Sequence, residues 1–332
     1  MLGAATSGVR IGITGLGTHV PERVMTNDEL AQIVETSDEW IFERTGIRER
    51  RIAADDEALT DIAMPAATAA LADAGADPAE IDLLICATVT PDMMFPTSSA
   101  LLADALGMPR AAAYDLLAGC TGFVYAIAQA YAMLAAGLSK RALVVGGDVL
   151  SKILDWDDRS TLVLFGDGAG AVVMEPVEHG GFLGFELGAD GCGGENLWYP
   201  GSGSRKFENP DALLKMNGRA VFKFATRIMV YSAEQILSEC GKTVGDVDVY
   251  IPHQANKRII DYAVAKLGIP PEKTIVNVDR YGNTSSGSIP LALTDARAEG
   301  RLRDGALVLM TGMGAGLTWG SALIEWTNGR PR

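Results

Sequence analysis

The sequence is poor in the residues that usually announce a metal site or a disulfide framework. Its four cysteines, Cys86, Cys120, Cys192 and Cys240, stand far apart, with no CxxC pair and no Cys/His cluster at zinc-ligand spacing. They read as reduced thiols of a reducing compartment. Basic residues are also scarce, 28 against 42 acidic ones, for a net charge of −14 over 332 residues. That balance excludes general binding to nucleic acid or to an anionic membrane, and an acidic partner would need a local basic patch. Residues 1–10 contain no basic stretch followed by an apolar run, so no signal peptide is expected. The longest uncharged stretch, 305–324, is broken by five glycines. It fits two buried strands around a turn better than a membrane span, which needs roughly 17–25 mostly apolar residues. A cytoplasmic protein without membrane insertion is the expectation.

What is present is ordinary globular material, 48% hydrophobic and 21% charged, long enough for about two domains. Apolar runs predict strands at 82–90, 142–150, 169–174, 247–251, 306–311 and 321–326, with helical patterns such as 61–74 and 256–267 between them. This alternation predicts an α/β fold. An internal repeat adds to it. AGADPAEIDLLI (74–85) and CGKTVGDVDVYI (240–251) coincide at one offset, and ALVV (142–145) meets ALVL (306–309) at nearly the same one. Two similar halves are therefore expected, 1–178 and 179–332. The Gly/Ser/Asn/Pro-rich segment 191–211 reads as a mobile surface loop.

Cys120 lies in AAYDLLAGCTGF (112–123), after a strand-like run and an Ala118-Gly119 turn, where an uncharged apolar helix over 121–136 begins. Free N–H groups and the helix dipole at that position favour a thiolate; a small buried cysteine fits the local pattern equally well. Of three histidines, His19 and His179 read as surface residues. His253 follows the strand 247–251 and opens a helix, at the end of a strand where functional groups gather in α/β sheets. The cluster GNTSSGS (282–288) either caps a helix or aims the Asn283 amide into a site. Gly-rich 312–316 permits close backbone approach but forms no strand–GxGxxG–helix unit, and neither does Gly15-Leu16-Gly17.

Together these stretches resemble the β-ketoacyl-acyl-carrier-protein synthase III family of thiolase-fold condensing enzymes. The resemblance runs nearly the whole chain through TSDEWIFERTGIRERR (36–51), GCTGF (119–123), FGDGAGA (165–171), PHQAN (252–256), GNTSSGS (282–288) and GLTWGSA (316–322). It implies a five-layered α/β/α/β/α fold and an acyltransferase that loads an acyl group from acyl-CoA onto Cys120. A decarboxylative Claisen condensation with malonyl-acyl carrier protein would follow, initiating fatty acid or related polyketide synthesis. It further implies His253 and Asn283 as the decarboxylation pair, Trp40, Arg44 and Arg159 for coenzyme A, and Phe95 at an acyl pocket reached across a homodimer interface. The oxyanion hole would use backbone N–H groups of Cys120 and of the turn at Ala315 and Gly316. Ala315 stands where the family often has glycine.

Lys215, Arg219, Lys223 and Arg227 recur at four-residue spacing and predict a basic stripe if 215–229 is helical. Arg258 and Lys266 would extend it, and the resemblance places Lys223 and Arg258 near the carrier-docking surface. No cofactor or metal is required by this chemistry. The alternatives weighed are a synthase III-like acyltransferase of specialised metabolism, a non-catalytic partner subunit and a nucleotide-dependent oxidoreductase. The Cys-His-Asn set disfavours the second, and the missing fingerprint the third.

Overall fold

Two sheets carry the architecture of the computed structural model, which describes residues 8–201, 203–205 and 213–328. The first orders Ile11–His19, Gly168–Pro176, Ala142–Asp148, Leu83–Ala87 and Ala112–Leu116 from edge to edge. The second orders Gly181–Ala189, Thr318–Glu325, Leu307–Gly314 and Val249–Pro252. Read in this direction, both sheets begin with two antiparallel pairings and continue with a parallel one. A parallel bridge between Tyr250 and Thr274 stands where the second sheet would take its fifth strand. The strand-like run 274–278 contributes only this bridge, because the chain turns at Asn277 into the short helix Val278–Tyr281.

The helices complete five layers. Gly122–Ala135 and Ser288–Ala298 lie between the sheets, where Phe123, Ile127, Ile289 and Leu293 share one core with Val144 and Val172 of the first sheet and Val308 and Ile324 of the second. A helix buried on both sides must be apolar nearly all round, and the absence of charge over 121–136 follows from that. Outside the first sheet, Leu59–Ala74 presents Ile62, Ala66 and Ala70 to Leu84, Val145 and Val173. Outside the second, Gly218–Glu239 and Lys257–Leu267 cover Tyr250, Leu309 and Leu323. The arrangement is the α/β/α/β/α layering of the thiolase fold. Among the described residues no helix is long and apolar enough to cross a membrane.

Three other expectations change. Segment 191–211 is partly built into the fold: Gly191–Asn196 forms 3-10 turns and Leu197–Trp198 pairs with Lys215–Met216, while residues 202 and 206–211 lie outside those described. Lys215 therefore sits on a strand, and the helix starts only at Gly218, where the Asn217 side chain accepts the Ala220 N–H. His19, expected at the surface, is half-buried at the end of its strand, whereas His179 is exposed beside Asp304.

Candidate active site

Cys120 occupies a 3-10 turn, Gly119–Thr121, at the entry to the Gly122–Ala135 helix, and is buried. Gly119 has φ +58°, and a Cβ there would press on the backbone N and O of Ala315 at 2.7 and 2.8 Å. Glycine is thus required on steric grounds, and its absence of a side chain lets the turn at 314–315 close over the cysteine. Burial pushes the thiol up to about 11, while the Ser285 side chain and the N–H groups of Cys120 and Ala315 pull it the other way. The thiolate expected at a helix N-terminus is therefore opposed by a stronger desolvation effect, and the resting thiol is protonated.

His253 and Asn283 line one cavity with Cys120, of about 190 Å³. The Val249–Pro252 strand delivers His253, whose N–H donates to Thr311 O at 2.8 Å. Burial depresses its ring to about 3, so the imidazole is neutral. Ser288 Oγ lies 2.6 Å from Nδ1 and also accepts the Gln254 N–H at 3.4 Å. Ser288 is buried and, among the described residues, its hydroxyl has no hydrogen-bond acceptor besides Nδ1, so it donates to that nitrogen. The proton of the imidazole then sits on Nε2, which is buried and has no partner among the described residues. An N–H donor in the cavity that Cys120 also lines is the result.

Asn283 is fixed by the same kind of accounting. Its backbone N–H donates to Leu164 O at 2.8 Å, and its Oδ1 accepts the Ser285 N–H at 2.9 Å. A backbone N–H can only donate, so the oxygen must face it and the amide NH₂ is left for the cavity. The GNTSSGS segment is tied to the nucleophile by Ser286, whose hydroxyl donates to Gly119 O at 3.1 Å.

The mouth of this cavity holds Trp40 and Arg44. The Arg44 and Arg159 guanidiniums lie 4.8 and 4.6 Å from the centre of the Trp40 ring, and Arg159 donates to Glu35 O. Phe222 lines the cavity too, with Arg258 stacked 5.5 Å above it. Arg219, Lys223 and Arg227 are exposed on the Gly218–Glu239 helix, and Lys266 stands over Tyr262 further along its own helix. A second cavity, of about 340 Å³, continues from Cys120 between Leu117, Leu150, Ile153, Leu197 and Leu214. Ala315 and Gly316 border it, whereas Phe95 is 85% exposed and lines neither of these two cavities.

Sequence reasoning passed over several residues that shape this site. Ser288 was one hydroxyl among several in a helix-capping cluster. Gln254 of PHQAN clamps its loop, donating to Pro252 O and Ile275 O and accepting the N–H groups of Asn277 and Val278. Asp148, fully buried, gathers Thr88, Val89, Thr90 and Ser286 around one carboxylate. Its signal was visible: a lone acid closing the apolar run ALVVGGD.

Comparison with known proteins shows the family. The sequence profile described as 3-Oxoacyl-[acyl-carrier-protein (ACP)] synthase III matches residues 114–191, and that of its C-terminal part matches residues 237–326. The chain is 54% identical to the β-ketoacyl-[acyl-carrier-protein] synthase III of Symbiobacterium thermophilum, over 95% of this chain and 98% of the relative. It is 51% identical to the enzyme of that name from Desulfitobacterium hafniense strain DCB-2, over 96% and 98%. The crystal structure of β-ketoacyl-[acyl-carrier-protein] synthase III from Thermus thermophilus superposes with a TM-score of 0.91 at 49% identity, covering 96% of this chain and 99% of that one. With near-complete coverage at about half identity, the chain belongs to the 3-oxoacyl-[acyl-carrier-protein] synthase III family of acyltransferase-type condensing enzymes.

Proposed function

We propose that the chain catalyses the first condensation of fatty acid synthesis in two half-reactions, with Cys120 as the acyl carrier and His253 and Asn283 as enolate donors. In the first, the Cys120 sulfur attacks the thioester carbonyl of an acyl-CoA held by Trp40, Arg44 and Arg159. The coenzyme A thiol leaves with the proton that Cys120 gives up. Thioester exchange replaces one C–S bond by another, so catalysis is mainly positioning, with N–H groups of Cys120 and the Ala315–Gly316 turn facing the developing oxyanion. In the second, malonyl-carrier protein loses carbon dioxide, and the enolate oxygen is received by His253 Nε2–H and the Asn283 amide. The enolate carbon then attacks the acyl-Cys120 carbonyl, and the cysteine is released. Neutral donors suit an oxyanion that exists only during the reaction.

The observation that supports this reading best is the convergence of Cys120, His253 and Asn283 on one buried cavity, with Trp40 and Arg44 at its mouth. The basic residues Arg219, Lys223 and Arg258 beside the entrance suit an acidic carrier protein, and the exposed Phe95 suits a homodimer. The change of sheet between Gly168–Pro176 and Gly181–Ala189 supports a division of the chain into halves near residue 178. Intact-mass measurement after incubation with acyl-CoA tests the first step. One acyl adduct is expected on the wild type and on Cys86→Ala, Cys192→Ala and Cys240→Ala, and none on Cys120→Ala. An adduct at another cysteine of Cys120→Ala, or no carbon dioxide from malonyl-carrier protein, would refute the assignment.

A further inference from the structure

Ser285 is the one non-glycine residue with a left-handed backbone among the described residues, at φ +50°. Glycine or asparagine holds that conformation at less cost, so a serine there points to a use for its hydroxyl. The strained turn is held from both sides. The Ser285 N–H donates to Asn283 Oδ1 at 2.9 Å, and Ser285 O accepts the Ser288 N–H. Ser286 is fastened as well, its N–H donating to Asp148 Oδ2 at 3.2 Å and its hydroxyl to Gly119 O at 3.1 Å. Ser285 is buried and lines the 340 Å³ cavity together with Cys120. Its Oγ has no hydrogen-bond partner among the described residues. A buried hydroxyl without a partner is costly unless some state of the reaction supplies one.

We infer that the Ser285 hydroxyl is a further donor in the reaction, given to the Cys120 sulfur whenever that sulfur is an anion. This rests on the reading of Cys120 as the acyl carrier. A protonated thiol is a weak acceptor, which leaves the hydroxyl idle in the resting protein. Two moments create a strong one. Sulfur is a thiolate when it attacks the acyl-CoA carbonyl, and it departs as a thiolate when the condensed product is released. Ser285 keeps its O–H bond throughout and lends only a hydrogen bond, so the proton that Cys120 gives up still leaves with coenzyme A. Two titratable groups face the sulfur. Asp148, at the end of Ala142–Asp148, accepts the N–H groups of Val89, Thr90 and Ser286, which suits a carboxylate. His253, which follows Val249–Pro252, is neutral and adds no charge. Burial raises the Cys120 thiol, Asp148 raises it further, and the Ser285 side chain is the largest influence the other way. A thiolate that is buried beside a carboxylate is the kind that needs such a donor.

Ser285→Gly and Ser285→Ala both delete the hydroxyl, and glycine also relieves the backbone, so the pair separates the donor from the strain. Iodoacetamide alkylation of the full chain, followed on the peptide that carries Cys120 at pH 7, 8 and 9, reads the thiolate fraction. Both variants should lower the rate about tenfold at each pH, the equivalent of raising the thiol by about one pH unit. Loading from acyl-CoA should fall by a similar factor. Carbon dioxide release from malonyl-carrier protein by enzyme already acylated should change little, because that step contains no sulfur anion. A wild-type alkylation rate in both variants would overturn the donor, and a loss confined to Ser285→Ala would trace to strain and overturn it too. Equal loss in alkylation, loading and decarboxylation would mean a displaced 283–288 segment and would also refute it. A wild type that is alkylated at Cys120 but takes no acyl group from any acyl-CoA would sink the carrier reading instead, while a tenfold alkylation loss in both variants would still uphold the donor.

Discussion

Burial acts in opposite directions on Cys120 and His253 in the reaction cavity, raising the thiol to about 11 and lowering the ring to about 3. Both are thereby neutral at physiological pH, and the half-reactions should respond differently to pH. Acylation should climb with pH through the neutral range, by up to about tenfold per unit, because the thiolate is the nucleophile. Decarboxylation of malonyl-carrier protein by acylated enzyme should stay flat from pH 5 to 8. A stopped-time assay of each step checks this, and a decarboxylation inflection near 6.5 would contradict a neutral His253. The sign for stability follows from the same shift. Between 6.5 and about 3 the unfolded chain takes up the histidine proton first, so this contribution is present above 6.5 and lost as pH falls through that window. Ser288 offers a second single-residue test. Ser288→Ala removes the hydroxyl that holds the tautomer, so decarboxylation should fall about tenfold, the worth of one buried hydrogen bond. Cys120 acylation should change little, and Ser288→Thr should recover part of the loss. Equal loss in both steps, or none, would mean that Ser288 does not position His253.

Local elements were legible where one pattern dominated and illegible where glycine or tertiary contact decided. The buried runs at 82–90 and 142–150 became strands because alternating polar residues are not needed in a sheet covered on both faces. Ile11–His19 was missed, because its glycines weaken any strand reading. Gly15 and Gly17 are needed there to let the backbone of the Leu59–Ala74 helix come close, which is a fact about packing and not about the strand. Leu197 was assigned to a loop and instead lines both cavities around Cys120. The basic stripe was read from four-residue spacing together with the resemblance, and the structure shortens it at Lys215 while leaving Arg219, Lys223 and Arg227 exposed beside Arg258. Lys223→Glu with Arg258→Glu should raise KM for malonyl-carrier protein several-fold and flatten its dependence on salt. Acylation by acyl-CoA, for which Trp40, Arg44 and Arg159 are the proposed contacts, should move much less. Unchanged carrier kinetics in the double variant would remove these residues from docking.

At the scale of the whole molecule, one edge of the five-stranded sheet bears on assembly. Ala112–Leu116 ends the five-stranded sheet, paired on one side only with Leu83–Ala87. Beside it stand Met94, Phe95 and Leu117, at 66%, 85% and 76% exposure. An open edge flanked by large apolar side chains invites pairing, and proteins that remain monomeric usually blunt such an edge with charge or proline. In the proposed homodimer a second copy, related by a twofold axis, would meet the same edge in antiparallel register and place Phe95 towards the neighbour's acyl cavity, which Leu117 lines. The backbone identifies a variant that separates this from a merely exposed surface. The Ala112 N–H donates to Asp82 O, and Leu116 O accepts the Thr88 N–H, so by the alternation of a parallel ladder the Ala113 N–H points outward. Ala113→Pro deletes that outward donor while leaving the inner ladder intact, and proline is tolerated on an edge strand whose N–H faces solvent. Sedimentation at micromolar concentration should find the wild type as a dimer and Ala113→Pro shifted towards monomer, with weaker loading of apolar acyl groups because the neighbour's Phe95 is lost. Phe95→Ala should weaken loading in the same way while the dimer persists, since the paired edges remain. A wild-type monomer that loads acyl groups at full rate would rule out the shared edge and, with it, the role of Phe95.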